Sequence, residues 1–464
     1  MTYRISEIDV PAENPFKNDI LNREPSVEVL VRLLEKAGGP FVLAVDAPWG
    51  HGKSTFIKMM ETVLVSKDFK CVNFNAWKFD FVVDPLVAMV SVLDQLSPSN
   101  VSHKEKFEET MKRLGKLASH LARRGVVLVV RGATHGNLDL QVEHDLMKDI
   151  SDGDPAIDLV ETLQEETSNL EIFRKELEDA MSQLTGSENS KPLIFFIDEL
   201  DRCKPTFAIA LLERVKHLFD VSNIMFVLSI DKSQLEAIVG AVYGQGINAP
   251  EYLRRFIDIE FGIPEPDSRE HTEWLLARFE LNPFFEQKGR AAGRDRGAFV
   301  ETFSQIAEIL KLTLRVRERC MTRLKVAMDQ TQEFEDFNPV VVALLIILRT
   351  SNPGLFRRLH SGEAIPEEVM NSFKGLPGGT AFAEGDFGAM IEALLVDGDD
   401  DARRRRAKIE TLKQWSETQE TSNPIKIRAD RMLKFIDQPN FHGLRKTTIR
   451  AMAQKVDIVA NFRE

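Results

Sequence analysis

The sequence predicts an α/β fold: a parallel sheet with helices on both faces, interrupted by one polar helical insertion and followed by a helical C-terminal region. Three observations predict it. Short apolar runs at residues 41–45, 71–75, 193–197, 224–230 and 257–261 have the length and composition of buried parallel strands. Segments with helical spacing separate them, and such alternation means a parallel sheet with right-handed crossovers. After Pro264 the strand runs stop and the pattern is almost wholly helical.

Val27, Leu30, Val31 and Leu34 recur at helical spacing, and Gly38-Gly39-Pro40 stops that helix. The strand at 41–45 runs into a Gly-rich turn and an amphipathic helix carrying Phe56, Ile57, Met60 and Val63. After the strand at 71–75, Pro85 opens a helix with Leu86, Met89, Val90, Leu93 and Leu96. Residues 97–190 are polar and charged, with helices expected at 104–123 and 159–184 and an acidic stretch at 151–155 between them. They read as an exposed antiparallel arm outside the central core, carrying a partner or self-assembly surface. Its apolar run, Gly125 to Val130, is flanked by Arg123, Arg124 and Arg131, and could equally pack on the arm's own helices. The strand pattern resumes at 193–197, followed by a helix at 207–219, a strand at 224–230, a helix at 233–239 and the last strand. The expected division is a core of residues 1–96 and 191–264, an insertion of 97–190 and a helical region of 265–464. Within that region the acidic run 397–401 and Arg403–Arg406 read as an exposed turn or linker.

With 464 residues, two to three structural units are expected. Apolar residues at 43% and charged residues at 28% match a soluble globular protein. A net charge of −12 excludes an overall basic field that would draw nucleic acid or anionic membrane. Cys71, Cys203 and Cys320 fit no metal spacing and suggest a reducing compartment. The first seven residues hold no apolar signal region, and the longest apolar runs, 126–130 and 340–348, close on Arg131 and Arg349. A cytoplasmic protein with no membrane span is expected.

The pattern G-x-x-x-x-G-K-[ST] is met at Ala47-Pro-Trp-Gly-His-Gly52-Lys53-Ser54, after an apolar strand and before a helix. Gly50 and Gly52 let backbone N–H groups turn onto phosphate oxygens, and the helix N-terminus adds its positive end. The expected nucleotide contacts run through Trp49, Gly50, His51, Gly52, Lys53, Ser54 and Thr55. Lys53 reaches the β- and γ-phosphates of ATP, and Ser54 ligates Mg²⁺. Ala47 stands where the first glycine is usual. The apolar run ending in Asp198-Glu199 delivers two carboxylates at a strand's C-terminal edge, where ligands of open α/β sheets bind. Asp198 is the expected second Mg²⁺ ligand, and Glu199 the base that activates water. Asp198 alone could also cap a helix. The strand at 71–75 falls between these two in sequence, an order that suits ATPases in which an extra strand separates them. Ser229 and Asp231 stand where such ATPases often place a polar sensor, although Asp231 could simply cap a helix.

Together these motifs resemble the KAP family of P-loop NTPases. The matching pieces are Asp46-Ala-Pro-Trp-Gly-His-Gly-Lys-Ser-Thr55, Phe74-Asn-Ala-Trp-Lys-Phe79, Phe196-Ile-Asp-Glu-Leu-Asp-Arg-Cys-Lys-Pro205, Phe226-Val-Leu-Ser-Ile-Asp-Lys232 and Tyr252-Leu-Arg-Arg-Phe256. They span roughly residues 15–350 apart from the insertion, and depart from the pattern at Ala47 and at Arg254-Arg255. The resemblance implies a nucleotide-driven molecular switch, set among partner proteins of the same gene cluster in a bacterial defence or stress system. Many members carry transmembrane helices between the two motifs, whereas this insertion is polar, so the resemblance is to a member without a membrane role. Trp77 and Asp201-Arg202 stand at signature positions; the first could be a buried core anchor and the second a helix-start charge pair.

Arg254 and Arg255 end a helix just before the last strand, where an arginine could reach a neighbour's γ-phosphate in a homo-oligomer. They could equally complement a helix dipole. Arg315 opens a later helix and resembles a sensor arginine, or is a solvated charge. The rival class is a DNA-associated motor or repair ATPase using Arg403–Arg406 and the Arg290, Arg294, Arg296 cluster. Against it stand the acidic net charge and the lack of interleaved aromatics. A scaffold with a purely structural ATP site has no need of Glu199.

Overall fold

A computed structural model describes residues 8–37, 40–98, 101–133, 155–185, 191–218, 221, 223–286, 292–330, 338–417, 423–437 and 448–457. Residues Asp9–Pro264 form one compact unit and Glu265–Glu464 belong to another.

The first unit runs α1 (Glu24–Lys36), β1 (Phe41–Asp46), α2 (Lys53–Ser66), β2 (Cys71–Asn75), α3 (Ala76–Phe79), α4 (Pro85–Leu93), α5 (Val101–Ala133) and α6 (Pro155–Thr185). It continues with β3 (Leu193–Asp198), a 3₁₀ turn (Leu200–Arg202), α7 (Pro205–Leu218), β4 (Ile224–Ile230), α8 (Lys232–Tyr243), α9 (Ala249–Leu253) and β5 (Ile259–Gly262). The five strands are parallel, in the order β2-β3-β4-β1-β5. The strand that separates β1 from β3 in the sheet is therefore β4. β2, which lies between them in sequence, sits at the edge beside β3. Chain order does not fix lateral order, because each crossover can place its strand on either side of the growing sheet.

Successive strand side chains alternate between the two faces, and each face has its own core. Leu43, Val45, Ile194, Phe196, Met225 and Val227 pack with Val27, Leu30 and Val31 of α1 and Phe56, Ile57 and Met60 of α2. Val42, Ala44, Phe74, Phe195, Ile197, Phe226 and Leu228 face the opposite layer, from α4 to α9. The result is a three-layer sandwich whose strand C-termini collect on one edge.

The insertion departs from the expected free arm. Phe107, Met111, Leu114, Ala118 and Leu121 of α5 and Phe173, Leu177, Ala180, Met181 and Leu184 of α6 are buried, and they belong to the same apolar cluster as Phe195 and Phe226. Their spacing follows i, i+4, i+7 steps, so the buried face of each long helix is continuous with the sheet core. Polar composition concealed this because the stripe is narrow and the remaining faces are charged. The Gly125 to Val130 run continues the α5 backbone; its side chains, and residues 151–154 of the acidic stretch, lie outside the described residues.

In the second unit every element among the described residues is helical: α10 (Ser268–Arg278), α11 (Asn282–Glu286), α12 (Ala292–Ile309), α13 (Leu314–Gln330), α14 (Pro339–Ser351), α15 (Pro353–Ser361), α16 (Pro366–Lys374), α17 (Gly379–Glu384), α18 (Asp386–Asp397), α19 (Ala402–Ser416), α20 (Pro424–Ile436) and α21 (Ile449–Asp457). Residues 340–348 of α14 are all buried, as their unbroken apolar run predicts, and other helices of the unit pack around them. Arg403–Arg406 do not form a linker. Asp401 caps α19 by accepting from the Arg403 and Arg404 N–H groups at 2.8 and 3.3 Å, and the arginines form its first turns.

Candidate nucleotide-binding site

The turn between β1 and α2 is built as a phosphate loop requires. Gly50 (φ 85°) and Gly52 (φ 79°) occupy the left-handed region, where a side chain is strained. Ala47 is not among the residues with positive φ, which explains why a methyl group is accepted at the first position of the motif. Its carbonyl accepts from the Lys53 Nζ. Burial pulls the Lys53 pKa down, and the negative charges of Asp201, Asp231, Asp198 and Asp46 pull it back up. The ammonium is thus held among carboxylates at the start of α2, beside the helix N–H groups that bind anions.

Asp198 ends β3, in register with Asn75 of β2 on one side and Ser229 of β4 on the other. The Ser54 Oγ donates to Asp198 Oδ2 at 3.1 Å. Two cis ligands of an octahedral Mg²⁺, each about 2.1 Å from the metal, stand about 3 Å apart. This donor pair, one hydroxyl and one carboxylate, fits one edge of that octahedron. Asp198 Oδ1 accepts from the Glu199 N–H at 2.9 Å, which fixes the carboxylate plane. Ser229 is buried beside it, and its Oγ has no hydrogen-bond partner among the described residues.

Glu199 has φ 60°, an uncommon conformation for a non-glycine residue and one that clusters at functional sites. Asn75 Nδ2 donates to its Oε2 at 2.7 Å, while Arg202 Nη1 donates to its Oε1 in an ion pair. The Arg202 guanidinium lies 5.9 Å from the centre of the Trp77 ring, which is 52% exposed. Trp77 is therefore not the core anchor that its aromatic character allowed. Asp201 is buried and accepts from the indole N–H of Trp49. Burial raises its carboxyl pKa, against the opposing pull of that hydrogen bond and the Lys53 charge. The Trp49 backbone N–H donates to Asp231 Oδ2 at 3.0 Å. Asp231 also caps α8, as the second of its two readings expects. Trp49 thereby ties the loop to the ends of β3 and β4.

Two contributors escaped the sequence reading. Asn75 was visible only as part of the Asn-Ala-Trp step, and its contact with Glu199 follows from β2 lying beside β3. Arg23, at the N-cap of α1, is buried against Phe56 and donates from Nη2 to the His51 carbonyl at 2.8 Å. Burial lowers its pKa to about 10. Nothing in the local pattern distinguished it from an ordinary helix-start arginine. His51 itself is buried, and Thr55 is half-buried in the first turn of α2.

Arg254 is exposed after α9 and pairs with Glu251 at 2.9 Å, and Arg255 is exposed with its guanidinium over Tyr252. Both are accessible from outside the chain. Arg315 is exposed in the first turn of α13, in the second unit. Of the arginines considered for nucleic acid, Arg290 lies outside the described residues. Arg296 donates to Asn282 Oδ1 at 3.1 Å and Arg404 pairs with Asp399 at 2.8 Å, so neither is a free phosphate ligand.

The family model described as the KAP family P-loop domain matches residues 23–334. An uncharacterized protein of Methanocaldococcus jannaschii is 27% identical over 181 residues, covering 34% of this chain and 89% of that protein. Among solved structures, the ORC2 protein of Aeropyrum pernix, in ADPNP–ADP complexes, aligns over 98% of this chain and 96% of its own. Its identity is 14% and its TM-score 0.30, too distant to carry an argument. Among the described residues, no helix is long and apolar enough to cross a membrane.

Proposed function

Because the chain belongs to the KAP family of P-loop NTPases, we propose that it binds Mg·ATP at the β1–α2 turn and hydrolyses it, cycling as a molecular switch. One observation carries this reading: Ser54 and Asp198 stand 3.1 Å apart as a metal-ligand edge, with Lys53 and Glu199 next to them in sequence. Backbone N–H groups from Gly50 to Ser54 bind the phosphate oxygens, and Lys53 contacts the β- and γ-phosphates. Ser54 and Asp198 would hold Mg²⁺, which neutralises the charge that develops on the transferred phosphoryl group. Glu199 accepts the proton of the attacking water. Arg254 or Arg255 of a second copy supplies positive charge to the γ-phosphate.

The switch role and action with partner proteins of a defence or stress system are supported by the family resemblance alone, and a cytoplasmic setting by the sparse cysteines and short apolar runs of the sequence. Binding is tested by titrating the full chain with ATP and Mg²⁺. Hydrolysis is tested by phosphate release at several protein concentrations. Saturable binding and turnover that rises per chain with concentration are expected. Absence of binding would overturn the assignment, and concentration-independent turnover would remove the trans arginine.

A further inference from the structure

The carboxylate of Glu199 is engaged at both oxygens, and the two donors lie on one side of it. Asn75 closes β2, which flanks β3 on the side opposite β4 and β1. Arg202 lies in the turn that follows β3, and its guanidinium rests over Trp77 of α3, the helix that continues β2. The phosphate loop follows β1, two strands away in the other direction. We infer that Arg202, seated on Trp77 and assisted by Asn75, is a positioning residue that parks Glu199 at the β2 edge, and that this ion pair must open before hydrolysis. The inference rests on the proposed role of Glu199 as the base.

The physical case is one of competition for a single carboxylate. Charge-assisted hydrogen bonds are roughly twice as strong as neutral ones, and the pair is more than half buried, with side-chain exposures of 29% and 19%. A water over the γ-phosphate must win Glu199 from both donors. Release therefore requires the guanidinium to move off the carboxylate. Trp77 limits that movement through the attraction between its ring and the guanidinium carbon 5.9 Å from the ring centre. Because the ring is half exposed, the restraint can be reached from the surface.

The test measures single-turnover and steady-state hydrolysis of Mg·ATP by the full chain. The variants are Arg202→Ala, Arg202→Lys, Trp77→Ala, Glu199→Gln and the Arg202→Ala/Glu199→Gln double variant. Arg202→Ala should raise kcat by roughly three- to tenfold with KM unchanged, since each tenfold is a single weak interaction's worth of barrier. Trp77→Ala should give a smaller rise, Arg202→Lys should restore most of the restraint, and the rise should vanish in the double variant. Arg202→Gln, of similar length, replaces Arg202→Ala if that variant fails to fold. An unchanged or lower kcat in Arg202→Ala, with Glu199→Gln inactive, would overturn the restraint and leave the base assignment standing. Glu199→Gln turning over like the wild type would instead remove the base assignment, and the restraint with it.

Discussion

Phe107→Ala tests whether the insertion belongs to the sheet core. Phe107 sits in the first turns of α5, is 2% exposed, and shares an apolar cluster with Phe195 of β3 and Phe226 of β4. Truncating a buried phenylalanine costs about 3–5 kcal/mol through lost burial and the cavity left behind. Against a total of about 5–15 kcal/mol for a typical domain, that is a large fraction. If the cluster unfolds as one unit, the cost is felt at strands far from residue 107. Native-state hydrogen exchange followed by peptide mass reads this directly. Amides of Leu193–Asp198 and Ile224–Ile230 should lose about two to three and a half orders of magnitude of protection, at 1.4 kcal/mol per factor of ten. Loss confined to α5 and α6 peptides, with β3 and β4 unchanged, would mean that the insertion is an independently folded arm.

Lys53→Ala should weaken ATP binding by about 10- to 100-fold, the value of charged hydrogen bonds to phosphate, without altering the melting temperature much; calorimetric titration measures this, and unchanged affinity would remove the phosphate-loop assignment. Asp201→Asn should stabilise the chain at neutral pH. Burial raises the Asp201 pKa in the folded state, so the folded chain holds the proton more tightly than the unfolded one. Ionisation therefore costs stability as pH climbs above the ordinary carboxylate range, and the cost disappears below it. Melting curves across pH should show a gain for Asp201→Asn at pH 7 that fades on acidification; a gain of constant size would contradict the burial argument.

Much of the nucleotide site was legible because its chemistry is local. Gly50, Gly52, Lys53 and Ser54 are consecutive or nearly so, and their spacing alone sets the turn. Asp198 and Glu199 were legible because an apolar strand must deliver its last residues to one sheet edge. What escaped was lateral. That β2 lies beside β3, and so brings Asn75 to Glu199, depends on strand order. That Arg202 meets Trp77 depends on the turn after β3 folding toward α3. The buried stripe of α5 and α6 escaped because three or four apolar residues per two turns are outnumbered by charges, and a mean composition hides them. Arg403–Arg406 form a helix and not a linker because Asp401 caps the first turn, which the charge run by itself does not reveal.

Rapid-quench single-turnover hydrolysis of Mg·ATP by the wild type and by Glu199→Gln, with binding measured on the same samples, separates nucleotide binding from the proton transfer assigned to Glu199. Glu199 follows the metal-ligand residue Asp198 and takes no part in the Ser54–Asp198 edge, so the substitution should leave ATP affinity intact. The rate of phosphate formation should fall by about two to four orders of magnitude, the range a general base supplies. A Glu199→Gln variant that binds ATP and hydrolyses it at the wild-type rate would show that Glu199 is not the base.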